Sequence, residues 1–132
     1  ARLEGLSKVY GASLIISDAV RKRLQDPNRY HLRFLDRVIV KGRTQVSSIY
    51  EVLDAEPEDR QREKLATLSE FEAGIKAYGD LDLVAARDHF MAIRAQHPQD
   101  KTAELYEGRI QQLMEEGIPD DWDGVWAFTH KR

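Results

Sequence analysis

Residues Arg33 to Leu53 read RFLDRVIVKGRTQVSSIYEVL, and the fold is decided there. The stretch predicts two strands folded back on each other at Lys41-Gly42-Arg43-Thr44. Val38 and Val40 fall on one face of the first strand and Ile39 on the other. In the second strand Val46, Ser48, Tyr50 and Val52 alternate with Ser47, Ile49, Glu51 and Leu53. β-Branched and aromatic residues at a period of two are the strand signal. Gly42 stands where the backbone must turn, because it takes positive φ without a Cβ clash. Read alone, the tip is a solvated turn. Lys41, Arg43 and a free backbone N–H also make it a place that suits a phosphate.

Upstream, Leu6 and Tyr10 follow Leu3 at helical spacing, and Gly11 is a helix stop. No N-cap precedes Arg2, so the start is expected to be cut from within a helix. Ala12 to Ile16 reads as a short buried strand. Ser17 then caps a helix from Asp18 to Leu24, with Asp18 placed for the helix dipole and Val20 and Leu24 facing the core. Asp26-Pro27-Asn28 breaks it. His31 falls on the strand that follows. Residues 1–53 are thus helix, strand, helix and hairpin, too little sheet to stand alone with open edges.

Downstream the pattern changes. Residues 54–63 are an acidic, proline-containing linker whose carboxylates, Glu56, Glu58 and Asp59, read as solvated. Residues 64–117 have helical period. Leu65, Leu68, Phe71, Ile75 and Tyr78 line a first helix, ended by Gly79-Asp80. Leu83, Ala86, Phe90 and Ile93 line a second, closed by His97-Pro98. Ala103, Tyr106, Ile110 and Leu113 line a third, ending at Gly117. Gly74, Ala86, Phe90 and Pro98 match the spacing of a tetratricopeptide-like (TPR-like) helical hairpin, which the third helix would cap. Ala77 stands where a large residue is expected. Residues 118–132 form an aromatic tail with Trp122 and Trp126, which either packs back on the helices or meets another chain.

Charge divides at the same place. Residues 1–53 carry ten Lys/Arg against five Asp/Glu, and residues 54–132 ten against eighteen. The two parts should therefore have different partners. The absence of cysteine rules out disulfides and thiolate metal sites. No apolar run approaches the roughly 20 residues of a membrane span. The four histidines are scattered, so no metal site is expected in this chain. Arg21-Lys22-Arg23 reads as a solvated helix face. Aromatic residues for base stacking are sparse, so no nucleic-acid partner is expected.

ARLEGLSKVYG, then SLIISDAVRKRL, then YHLRFLDRVIVKGRTQVSSIYEVL together resemble the final third of a class III nucleotide cyclase catalytic domain. The continuation is similar to bacterial adenylate cyclases with a short helical extension ending in Trp-Asp-Gly, here Trp122-Asp123-Gly124. The resemblance implies an α+β fold: the C-terminal piece of a ferredoxin-like cyclase sheet, then the all-α TPR-like unit. It implies a parent enzyme that converts ATP, or GTP, to the 3′,5′-cyclic nucleotide and pyrophosphate as a homodimer with magnesium or manganese. Arg2 falls on the family's transition-state-stabilising arginine and Lys41 on its triphosphate-contacting lysine. Arg43 stands where relatives often carry lysine, a further phosphate contact. The family's metal-binding aspartates, base-recognising lysine and catalytic asparagine would lie upstream, so the chain is expected to be a fragment, inactive alone. The implied location is cytoplasmic, as a free enzyme or as the cytoplasmic portion of a membrane-anchored receptor cyclase. The rival reading is a protein-interaction module that works through the helices and through Trp122 and Trp126.

Overall fold

The computed structural model describes residues 4–39 and 45–125. Among these the protein is α+β, with one three-stranded antiparallel sheet and six helices. It divides into two compact units: residues 1–61 with 125–132, and Arg62–Gly124.

In the first unit, α1 (Glu4–Tyr10) ends at Gly11, whose φ of +63° is the left-handed conformation that closes a helix. The backbone N–H of Ala12 turns back onto the Ser7 carbonyl at 3.0 Å. β1 (Ile15–Ser17) runs straight into α2 (Asp18–Arg23), where the Ser17 hydroxyl accepts the Val20 N–H at 3.2 Å. A 3-10 turn (Pro27–Arg29) leads to β2 (Leu32–Ile39) and β3 (Val46–Val52). The strand order is β1-β3-β2, so the last strand in sequence lies in the middle. Its register places Ile15 and Arg33 on either side of Glu51, and Ile16 and Phe34 on either side of Tyr50. The β2–β3 register slips between Phe34 and Asp36, a bulge at Leu35. Tyr10, Ile15, Leu35, Val38, Ile49 and Leu53 are buried.

Two expectations change here. Val20 is 43% exposed and α2 buries no residue, because Arg21 reaches over the Tyr50 ring instead, 4.9 Å from its centroid. His31 lies just before β2 rather than on it.

The stretch 54–63 begins in a 3-10 turn (Leu53–Ala55) and continues in α3 (Glu58–Ala66). Glu56 is only 6% exposed and its Oε2 accepts the Ser13 N–H at 2.7 Å, so this carboxylate is not solvated.

The second unit holds α4 (Leu68–Gly79), α5 (Leu83–Gln96) and α6 (Lys101–Glu116). The expected first helix from Lys64 is in fact two. Thr67 interrupts it, with its hydroxyl and its stretched N–H both on the Glu63 carbonyl, at 3.2 and 3.3 Å. A hydroxyl that returns to its own helix competes with the regular ladder and bends it. The phase shifts in consequence: Leu65 is exposed and Lys64 buried. Phe71, Tyr78, Ala86, Phe90, Ile93, Ala103, Tyr106, Ile110 and Leu113 form the core. Phe90 stacks flat on Tyr106 at 5.0 Å, and Phe71 meets both edge-on. Asp82 and Asp100 cap α5 and α6 by accepting the N–H groups of Ala85 and Ala103. Gly117, at φ +88°, ends α6.

Candidate functional site

The two strands that flank the basic tip are paired to their ends: Ile39 stands opposite Val46. The intervening connection carries Lys41 and Arg43. Arg2 stands two residues before the first residue of α1. Arg2, Lys41 and Arg43 lie outside the described residues, as does Trp126. Trp122 is half-buried and meets Tyr78 edge-on, 6.3 Å between ring centres.

The described part of this unit is rich in buried polar groups. The Arg33 Nε donates to Glu51 Oε2 at 2.7 Å, with neither side chain exposed. The Tyr10 hydroxyl donates to Asp36 Oδ2 at 2.5 Å, and Asp36 Oδ1 accepts the Arg37 N–H at 2.8 Å. Burying charges at this density is costly unless they are paired and hydrogen-bonded. Sequence reasoning placed Tyr10 on a helix face and Glu51 on a strand face but missed both polar pairs. The available signal was opposite charge on two strands: Arg33 and Asp36 on β2, and Glu51 on β3.

Arg21-Lys22-Arg23 is less free than a solvated face implies. Arg21 donates to Asp18 Oδ1 through Nε and Nη2 at 3.0 and 2.8 Å, and Lys22 Nζ is 3.2 Å from Oδ2. The hydrogen bond from Arg21, then that from Lys22, hold the Asp18 carboxyl below its usual range. Asp54 is also lowered. Its burial acts to raise it, but the His31 backbone N–H at 2.7 Å and the His31 ring outweigh that.

His89 and His97 pair with carboxylates in the second unit, and His130 lies outside the described residues. His89 Nδ1 is 2.5 Å from Glu70 Oε2, and His97 Nδ1 is 3.9 Å from Glu63 Oε1. Among the described residues no three His, Asp or Glu side chains converge on a point that could hold a metal ion. These residues therefore do not fit the two divalent metals that the resemblance implies. No described helix is long and apolar enough to cross a membrane.

No family model matches the chain, and no solved structure matches it significantly. Two curated proteins are similar. Over 53 residues it is 42% identical to an adenylate cyclase of Anabaena cylindrica, which covers 39% of this chain and 11% of that protein. The chain carries an adenylate-cyclase-related region. A second likeness, 28% identity over 107 residues, is to the terminal-differentiation-specific adenylate cyclase of Dictyostelium discoideum. It covers 80% of this chain and 5% of that protein. The chain thus spans a small part of the length of either cyclase. A match of 107 residues is longer than the first unit, so the likeness runs into Arg62–Gly124 as well.

Proposed function

We propose that this chain is the C-terminal part of a class III adenylate cyclase catalytic domain followed by a TPR-like helical extension. The observation that carries the reading is the 42% identity over 53 residues to an adenylate cyclase. The element order α1-β1-α2-β2-β3 follows the helix, strand, helix and paired strands read from the pattern of residues 1–53.

In the parent enzyme the 3′ hydroxyl of ATP gives up its proton to solvent or a base, and its oxygen attacks the α-phosphorus. The bond to the β-phosphate breaks and pyrophosphate leaves. Negative charge grows on the departing group, so fixed cations there stabilise the transition state more than the bound substrate. Arg2 is assigned to that charge and Lys41, with Arg43, to the triphosphate. Magnesium or manganese would supply further charge neutralisation, held by carboxylates outside this chain. The working form is a homodimer. Without the metal-holding carboxylates the chain alone makes no cyclic nucleotide.

Cyclic nucleotide production from ATP and from GTP tests this, comparing this chain with one extended upstream by about one domain of native sequence. The reading requires turnover in the extended protein alone, abolished by Arg2→Ala and weakened by Lys41→Ala. A folded extended dimer that turns over neither nucleotide would overturn it. The helical unit and Trp122 would then be the working surface.

A further inference from the structure

The chain has two methionines, both in the second unit. Met91 lies on α5 and is 51% exposed. Met114, near the end of α6, is half-buried and packs against the helical core. Arg87 of α5 faces it, with Nη1 3.7 Å from Sδ. A thioether is a weak hydrogen-bond acceptor. The same guanidinium keeps its Nε buried with no hydrogen-bond partner among the described residues. The next contact along the seam shows the difference. Seven residues further along α5, Arg94 donates through Nη1 to Glu107 Oε1 at 3.1 Å, and Glu107 stands seven residues before Met114 on α6. Paired helices repeat a facing position at that spacing. Arg87 thus occupies the place where Arg94 has a carboxylate, and meets sulfur there instead of oxygen.

We propose that Met114 is an oxidation site, at which hydrogen peroxide converts the thioether to the sulfoxide and Arg87 holds the new oxygen. This stands apart from the cyclase reading. A lone pair of Sδ attacks one peroxide oxygen and the O–O bond breaks, so the sulfur is oxidised and the peroxide reduced. The departing hydroxide takes the proton left on the transferred oxygen and becomes water. In an apolar core a sulfoxide disrupts packing. Here its oxygen meets a donor already in place. An S–O bond and an N–H···O hydrogen bond of about 2.9 Å, meeting at an ordinary bend, span the 3.7 Å from Sδ to Nη1. The rotatable bonds of methionine let the oxygen turn that way. A sulfoxide oxygen is a far better acceptor than the thioether, and its hydrogen bond to a guanidinium is charge-assisted. Oxidation therefore ties α5 to α6, where it ordinarily loosens a helix pair.

Thermal melting of this chain before and after treatment with hydrogen peroxide tests this. Met91→Leu removes the exposed methionine from the background, and peptide mass spectrometry locates the added oxygen. Met114 should take up one oxygen in the folded chain, and the melting temperature should hold or rise. In Arg87→Ala the same oxidation should lower it by about 4 °C. Met114→Gln sets a permanent oxygen acceptor at the end of a chain of similar length, and serves where Arg87→Ala does not fold. With Arg87 in place it should melt no lower than Met114→Leu, and a clearly lower melt would overturn the proposal. A Met114 that resists peroxide in the folded chain would overturn it too. So would a melting temperature that falls on oxidation with Arg87 present, or one that oxidation leaves unmoved in Arg87→Ala.

Discussion

Arg33 and Glu51 stand directly opposite each other on β2 and β3, Nε to Oε2 at 2.7 Å, with both side chains fully buried. Ile15 flanks Glu51 on the other side, so one row of the sheet runs apolar, anionic, cationic. Removing one charge takes from the other, buried away from water, the counter-ion it is hydrogen-bonded to. Glu51→Ala should therefore destabilise the fold by about 3–5 kcal/mol. The double variant Arg33→Met with Glu51→Leu should recover much of that loss. Urea denaturation of the three proteins measures it, and equal losses in single and double variants would refute the argument.

Gly74 and Gly108 are both helical, yet substitution should move stability in opposite directions. A Cβ on Gly74 would sit 2.9 Å from the Phe90 ring, which is pinned by its stack on Tyr106. Gly74→Ala should cost about 1–3 kcal/mol of overpacking. Gly108 has nothing within 4 Å of its would-be Cβ, and Gly108→Ala should gain up to about 1 kcal/mol of helix propensity. Thermal melts compare the pair. A stabilising Gly74→Ala would mean that the α4–α5 contact is looser than described.

Asp18 should report its cations by titration. Its carboxyl is lowered by the bonds from Arg21 and Lys22, so the folded chain holds this proton less tightly than the unfolded one. The resulting stabilisation is fully present above the ordinary carboxylate value of about 3.9. It is lost as pH falls through the lower folded value. Carboxyl-carbon NMR should give an Asp18 midpoint below the usual range. Arg21→Gln should raise that midpoint, and an unmoved one would show that Arg21 is not the cause.

Trp122 packs edge-on against Tyr78 beside the helical core. Trp122→Ala should lower the stability of the second unit by about 2 kcal/mol, less than for a fully buried tryptophan. Chemical denaturation followed by helix circular dichroism measures the loss. An unchanged midpoint would leave the indole available to a partner, as the interaction-module reading requires.

Local features were legible in the sequence, and distant ones were not. The cap at Ser17, the stops at Gly11 and Gly117, and the faces bearing Phe71, Phe90 and Tyr106 follow from neighbours a few residues apart. Glu56 was misread because its partner, the Ser13 N–H, lies 43 residues away, and no local pattern announces such a bond. Leu65 was misplaced because helical period was carried through Thr67, where a side chain breaks the ladder. Val20 was misplaced because α2 is too short for period to tell a covered side from an open one. The role of Arg2 came from family resemblance, and those of Lys41 and Arg43 from the charge of the turn sharpened by that resemblance; all three lie outside the described residues.

The strand order has a consequence for how the chain acquires its structure. Among the described residues β1 pairs with β3 alone, which is made long after it: Ile15 must find Glu51. On a ribosome adding about 5–20 residues per second, β1 waits on the order of seconds for its partner to emerge. The helices of the second unit meet sequence neighbours, and such short-range closures are fast. In refolding of the finished chain, the helices of the second unit should therefore gain structure before β1 closes on β3. Until β1 docks, the β1 flank of β3 carries unpaired backbone groups, a template for any passing strand. Pulse-labelled exchange would see the Ile15–Ser17 amides protected last, and the cell's hazard with this protein is the nascent chain.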